Sequence, residues 1–195
     1  MTATQHDTPD RRRWNGKLTG RWPTALAIAM TAVNVAGGSP EKLDDVVEGF
    51  GEAMMLLPLE YLIVAKLRRR GASWPVAIAA LTTMVALRAL DIVSPAVVFV
   101  GIALAVLLWG AVDKELHRPG MFRVEALGAI GFGALALTGL AVDPDLGRYL
   151  VAAGWFFHGV WDFVHLKLDK VVSRSWAEWC GVLDVLVAVQ LLVLL

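Results

Sequence analysis

The sequence predicts an all-α, polytopic membrane protein: a bundle of seven transmembrane helices, N-terminus cytoplasmic and C-terminus outside. Three observations carry this. The 195 residues are 57% hydrophobic and 18% charged, against about 45–50% and about a quarter in soluble domains. The apolar residues fall in seven runs separated by short polar connections. Fifteen of the eighteen Lys and Arg residues lie in alternate connections, the pattern that marks cytoplasmic loops.

Residues 1–21 are polar and include the run Arg11-Arg12-Arg13. They are expected to form a cytoplasmic, mostly disordered basic tail whose cations face anionic headgroups. A retained basic flank is preferred to a twin-arginine export signal, and the polar lead is long for a cleaved signal peptide. Residues 22–195 then form one transmembrane domain. Segment 1 runs from Trp22 to about Ala36 and ends at Gly37-Gly38. Segment 2, about Asp45 to Lys66, contains Glu48, Glu52 and Glu60, and Pro58 is expected to kink it. Segments 3 and 4 are about Trp74 to Leu90 and Pro95 to Val112. Segment 5, about Met121 to Val142, carries a small-xxx-small pair, Ala129 and Gly133, suited to close helix approach. Segments 6 and 7 are about Tyr149 to Leu166 and Trp179 to Leu195. Each is roughly 15–22 residues, against about 20 needed to cross the hydrocarbon.

The loop charges set the orientation. The tail to Arg21 carries five cations. Lys66, Arg68, Arg69 and Arg70 follow segment 2; Lys114, Arg118 and Arg123 follow segment 4; Lys167, Lys170 and Arg174 follow segment 6. The other side holds Lys42, Arg88 and Arg148. Trp22, Trp74, Trp109 and Trp179 fall at the cytoplasmic ends, where an aromatic belt is expected. The plasma (inner) membrane is the expected location and membrane lipids the expected partners. Net charge is zero, so no global field points to nucleic acid. The single cysteine, Cys180, excludes an intrachain disulfide and any multi-cysteine metal site; it reads as a packing residue.

Against this apolar background one stretch stands out. Gly154 to Leu166 reads GWFFHGVWDFVHL. At 100° per residue, His158, Asp162 and His165 fall at roughly 0°, 40° and −20°, one narrow stripe. Ionisable groups are expensive in hydrocarbon, so such a stripe is a candidate site. Orientation converts position to depth. Asp162 lies roughly 6–8 Å inside the cytoplasmic boundary, His158 about 12 Å, Asp184 about 8 Å, Glu60 about 9 Å and Glu125 about 6 Å, with His165 at the edge. Segments 5–6 and 6–7 are expected neighbours because their loops are short.

Two imidazoles and several carboxylates are the ligand set of Zn²⁺, Fe or Mn²⁺. His158, Asp162 and His165 are the candidate metal ligands, with Asp184 or Glu60 as a further ligand or catalytic base. No tight motif such as HExxH is present. A metal site, a metal-free proton or substrate relay, and structural polar packing all stay open. A second, outer acidic face is formed by Asp44, Glu48 and Glu52 at i, i+4 and i+8, read either as a solvated rim or as a cation-attracting mouth. Arg88 and Asp91 are an i, i+3 pair nearby.

Retinal proteins hold their chromophore on a lysine in the last helix; segment 7 has none. The intramembrane His and Asp resemble the seven-span metal hydrolases typified by alkaline ceramidases and adiponectin receptors. Those place two histidines four apart in the last helix, where this chain has Asp184 and no histidine, so no residue role is carried over. The functions that fit are a metal-dependent lipid hydrolase or other lipid-modifying enzyme using zinc or another divalent ion, a small proton-coupled transporter, and a non-catalytic scaffold.

Overall fold

The computed structural model describes residues 20–37 and 42–193. Most of the basic tail, residues 38–41 and the last two residues therefore lie outside the described residues. Those described form seven α-helices and one short 3₁₀ turn, with no strand. The helices are α1 (Trp22–Ala36), α2 (Leu43–Leu67), α3 (Ser73–Leu90), α4 (Pro95–Val112), α5 (Met121–Ala141), α6 (Pro144–Leu168) and α7 (Arg174–Val193).

Local chemistry sets their ends. Ser94 caps α4 by accepting from the Ala96 N–H, and Asp143 caps α6 by accepting from the Leu146 N–H; a proline follows each cap. Ser173 Oγ accepts from the Trp176 N–H at the start of α7. Three helices, α2, α3 and α6, stop at a residue in the left-handed conformation: Arg68, Asp91 and Asp169. Two of the helices start earlier than hydropathy predicts. α6 begins at Pro144 and α7 at Arg174 because caps, not apolar runs, decide where a helix starts. Pro58 sits within one continuous helix. Gly133 has nothing within 4 Å of its Cβ position, so the small pair on α5 makes no close approach there.

Four helical stretches are long and apolar enough to cross a membrane: Arg70–Leu90, Pro95–Val112, Met121–Ala141 and Arg174–Val193. Helices α3 and α4 bury few residues and show Ile78 (61% exposed), Val85 (60%) and Leu108 (66%) outward. A continuous apolar surface of this kind suits lipid. The remaining three differ for distinct reasons. α1 has 15 residues, about 22 Å of helix against about 30 Å of hydrocarbon. α2 and α6 have 25 residues each. α2 carries too many charges, whereas α6 is made less apolar by His158, Asp162 and His165. These polar groups of α6, like Glu52 and Glu60 of α2, are buried inside the bundle.

α2 is the central helix, packing on α3, α4, α5 and α6, and α6 packs on α5 and α7. Ion pairs tie three connections together at one end of the bundle. Lys66 Nζ reaches Asp113 (2.5 Å) and Glu115 (2.7 Å), Arg68 reaches Glu115 (2.6 Å), and Arg70 pairs with Asp169. The connections after α2, α4 and α6 therefore share that end.

Candidate metal centre

The polar stripe on α6 faces inward: His158, Asp162 and His165 are all buried. Two glycines let α7 come close to it. A Cβ on Gly159 would lie 3.2 Å from Asp184 Cβ and from the Gly181 carbonyl oxygen, and a Cβ on Gly181 would lie 3.1 Å from Asp162 Cβ. The helices thus meet backbone to backbone beside the carboxylates, the contact that small residues permit.

At this crossing His158 Nδ1 stands 2.8 Å from Asp184 Oδ2 and 3.3 Å from Asp162 Oδ2. Cys180 Sγ lies 3.8 Å from Asp184 Oδ1. From α2, the Tyr61 hydroxyl donates to Asp162 Oδ1. Tyr61 and Phe132 pack edge-on against the His158 ring, at 5.6 and 5.0 Å between centroids. His158, Asp162, Cys180 and Asp184 each offer one ligand atom, all within 4.8 Å of one another.

The charge balance here is uneven. Asp162 and Asp184 are both fully buried, and among the described residues the only basic group touching either is one imidazole. Buried charge is tolerated only when paired. A protonated His158 matches one carboxylate and leaves the other; a divalent cation matches both. Tetrahedral zinc with bonds of about 2.0–2.3 Å sets its ligands about 3.3–3.8 Å apart. The four ligand atoms need only small side-chain adjustments to reach that spacing. Imidazole, carboxylates and a thiolate suit zinc. Asp162 Oδ2 and His158 Nε2 have no hydrogen-bond partner among the described residues.

The other expected site residues separate. His165 does not join His158 and Asp162. Its Nδ1 donates to the Trp161 carbonyl at 2.9 Å and its Nε2 meets Glu125 Oε1 at 2.8 Å. Trp161 Nε1 donates to the second Glu125 oxygen at 3.3 Å. Both nitrogens are thus occupied, Nδ1 by the Trp161 carbonyl and Nε2 by Glu125. Glu52 is also fully engaged: Arg88 Nε and Nη2 donate to it at 3.0 and 2.7 Å, and Ser94 Oγ at 2.9 Å. Arg88 thus neutralises Glu52 and draws α2, α3 and α4 together, so the deepest group of the outer acidic face is not free to attract a cation. Among the described residues Glu60 has no partner for either oxygen although it is 2% exposed. It is not among the cluster's converging ligand atoms, and it lines a neighbouring cavity.

Cys180 and Tyr61 are the contributors that sequence reading passes over. Cys180 stands four residues before Asp184, the same i, i+4 relation that joins His158 to Asp162. That spacing is the signal for it. No family model matches the chain, and neither a curated protein nor a solved structure matches it.

Proposed function

We propose that this chain is a seven-span membrane protein whose α6–α7 crossing holds a divalent metal, most suitably zinc, and that it is a metal-dependent enzyme acting on membrane lipids. One observation carries the reading: four ligand atoms of the right types converge in a buried site with more negative than positive charge. His158, Asp162, Cys180 and Asp184 hold the ion. Tyr61 orients Asp162, as an outer hydrogen-bond partner does for a ligating carboxylate. With four protein ligands the ion would have to expand to five-coordinate to admit a water or substrate oxygen. It would then supply Lewis-acid chemistry for attack on an ester, amide or phosphoryl group, and Glu60, next in sequence to Tyr61, is the candidate base.

The orientation belongs to the same proposal. The connections after α2, α4 and α6 share one end and carry most of the cations, so that end and the N-terminal tail face the cytoplasm of a plasma (inner) membrane. Lipid profiling tests the enzyme. Purified protein is incubated with total membrane lipid, with and without chelator. A lipid species consumed by wild type, but not after chelation or in Glu60→Gln, supports the reading. Identical lipid profiles in every arm would remove it.

A second reading has its own support. Without any metal, Tyr61 donates to Asp162 and His158 hydrogen-bonds Asp184, and His158 Nδ1 stands 3.3 Å from Asp162 Oδ2 between those two bonds. Such a series of close polar contacts suits a proton relay in a carrier. A pH-driven flux in liposomes that Asp162→Asn abolishes would select it.

A further inference from the structure

Beside the metal centre, α1, α2, α3, α6 and α7 enclose a cavity of about 490 Å³, within the usual range for small-molecule sites. Trp74, Trp155, Trp176 and Trp179 line it. Trp74, Trp176 and Trp179 pack on one another at 4.9–5.3 Å between ring centroids, two of the pairs tilted and one edge-on. Trp74 and Trp179, expected in an interfacial belt, are thus part of an internal aromatic wall. Glu60 lines the same cavity, and neither of its oxygens meets a hydrogen-bond partner at bonding geometry among the described residues. Among the described residues the indole N–H groups of Trp176 and Trp179 also lack acceptors. Most of the remaining wall is aliphatic, and it reaches the outer surface at Leu26, Met30, Ile78 and Leu81, all exposed. At another part of the wall Gln190 Nε2 donates to Asn34 Oδ1 at 2.8 Å, joining α7 to α1.

An unpaired carboxylate against several indole faces is the chemistry that recognises an alkylammonium group, through ion pairing and cation–π attraction. The aliphatic wall leading to the lipid-facing surface fits the hydrocarbon chain of the same molecule. We propose that this cavity binds a single-chain amphiphile by its ammonium headgroup, with Glu60 as counter-ion and the tryptophans as the aromatic cage. This goes beyond the metal reading and does not rest on it.

Tryptophan fluorescence tests it directly. The full chain in maltoside micelles is titrated with a bromine-tagged dodecyltrimethylammonium, and with the same brominated chain ending in sulfate or hydroxyl. The ammonium probe is expected to quench saturably, at least tenfold tighter than the other two. Glu60→Gln is expected to remove that preference. Ala77→Phe, which fills the cavity and keeps Glu60, is expected to abolish saturable quenching, so the result does not hang on one variant folding. The titration is repeated on chelator-stripped protein, where the ammonium preference is expected to persist whether or not the protein ever bound metal. Equal, non-saturating quenching by all three probes, or a preference that survives Glu60→Gln, would overturn the proposal.

Discussion

Removing the Arg88 guanidinium tests how this bundle tolerates buried charge. Glu52 is 3% exposed and accepts three hydrogen bonds, two of them from Arg88. In Arg88→Met only the Ser94 bond remains, and a carboxylate is left buried without its cation. Breaking a buried pair by removing one partner costs about 3–5 kcal/mol. The Arg88 side chain is 40% exposed, so part of the pair's strength is already screened, and the expected loss is about 2–3 kcal/mol. Adding Glu52→Gln removes the orphaned charge, and the double variant is expected within about 1 kcal/mol of wild type. Reversible unfolding in mixed micelles reads all three proteins. A single variant within about 0.5 kcal/mol of wild type, or a double variant no more stable than the single, would refute the reasoning.

Three further outcomes are expected. Tyr61→Phe deletes the hydroxyl that donates to Asp162; it should cost about 1.5–3 kcal/mol and weaken metal binding about tenfold, both read by thermal unfolding with and without added zinc. Gly181→Val places atoms where even a Cβ meets Asp162 Cβ at 3.1 Å; overpacking should cost about 1–3 kcal/mol and lower metal occupancy, whereas Gly131→Val, at a glycine with nothing within 4 Å, should leave metal occupancy unchanged. The Lys66 ammonium, joined by Arg68, holds the Glu115 carboxyl below its usual 4.5. Its contribution to stability is therefore complete above that ordinary value and lost as pH falls through the lowered one; Glu115→Gln should flatten the acid limb of a stability–pH curve below 4.5.

The apolar segments were legible because hydrocarbon length and hydropathy fix them, and α4 matches its expected bounds at both ends. Helix starts in polar sequence were not, since Asp143 and Ser173 act through caps that hydropathy does not register. The expected depths placed Asp184 beside the α6 stripe, and Asp184 does meet His158 there. Rotation about each helix axis was not readable. Glu125 and Glu60 were expected at a similar depth, yet Glu125 closes on His165 and Glu60 lines the tryptophan cavity. His165 lies on the stripe by angle, but the Trp161 carbonyl and Glu125 take both its nitrogens. Cys180 and Tyr61 carried no polar signal strong enough to stand out from packing; only the glycine-mediated approach of α6 and α7, with α2 alongside, brings them to the same point.

The central claim is that His158, Asp162, Cys180 and Asp184 bind a divalent metal. Elemental analysis of protein purified without chelators tests it most directly. Close to one zinc or other divalent ion per chain is predicted for wild type, with loss in the His158→Ala/Asp162→Ala double variant and retention in His165→Ala, whose histidine is engaged elsewhere. A wild-type protein that carries no metal, and takes up none when zinc is supplied, would contradict the account.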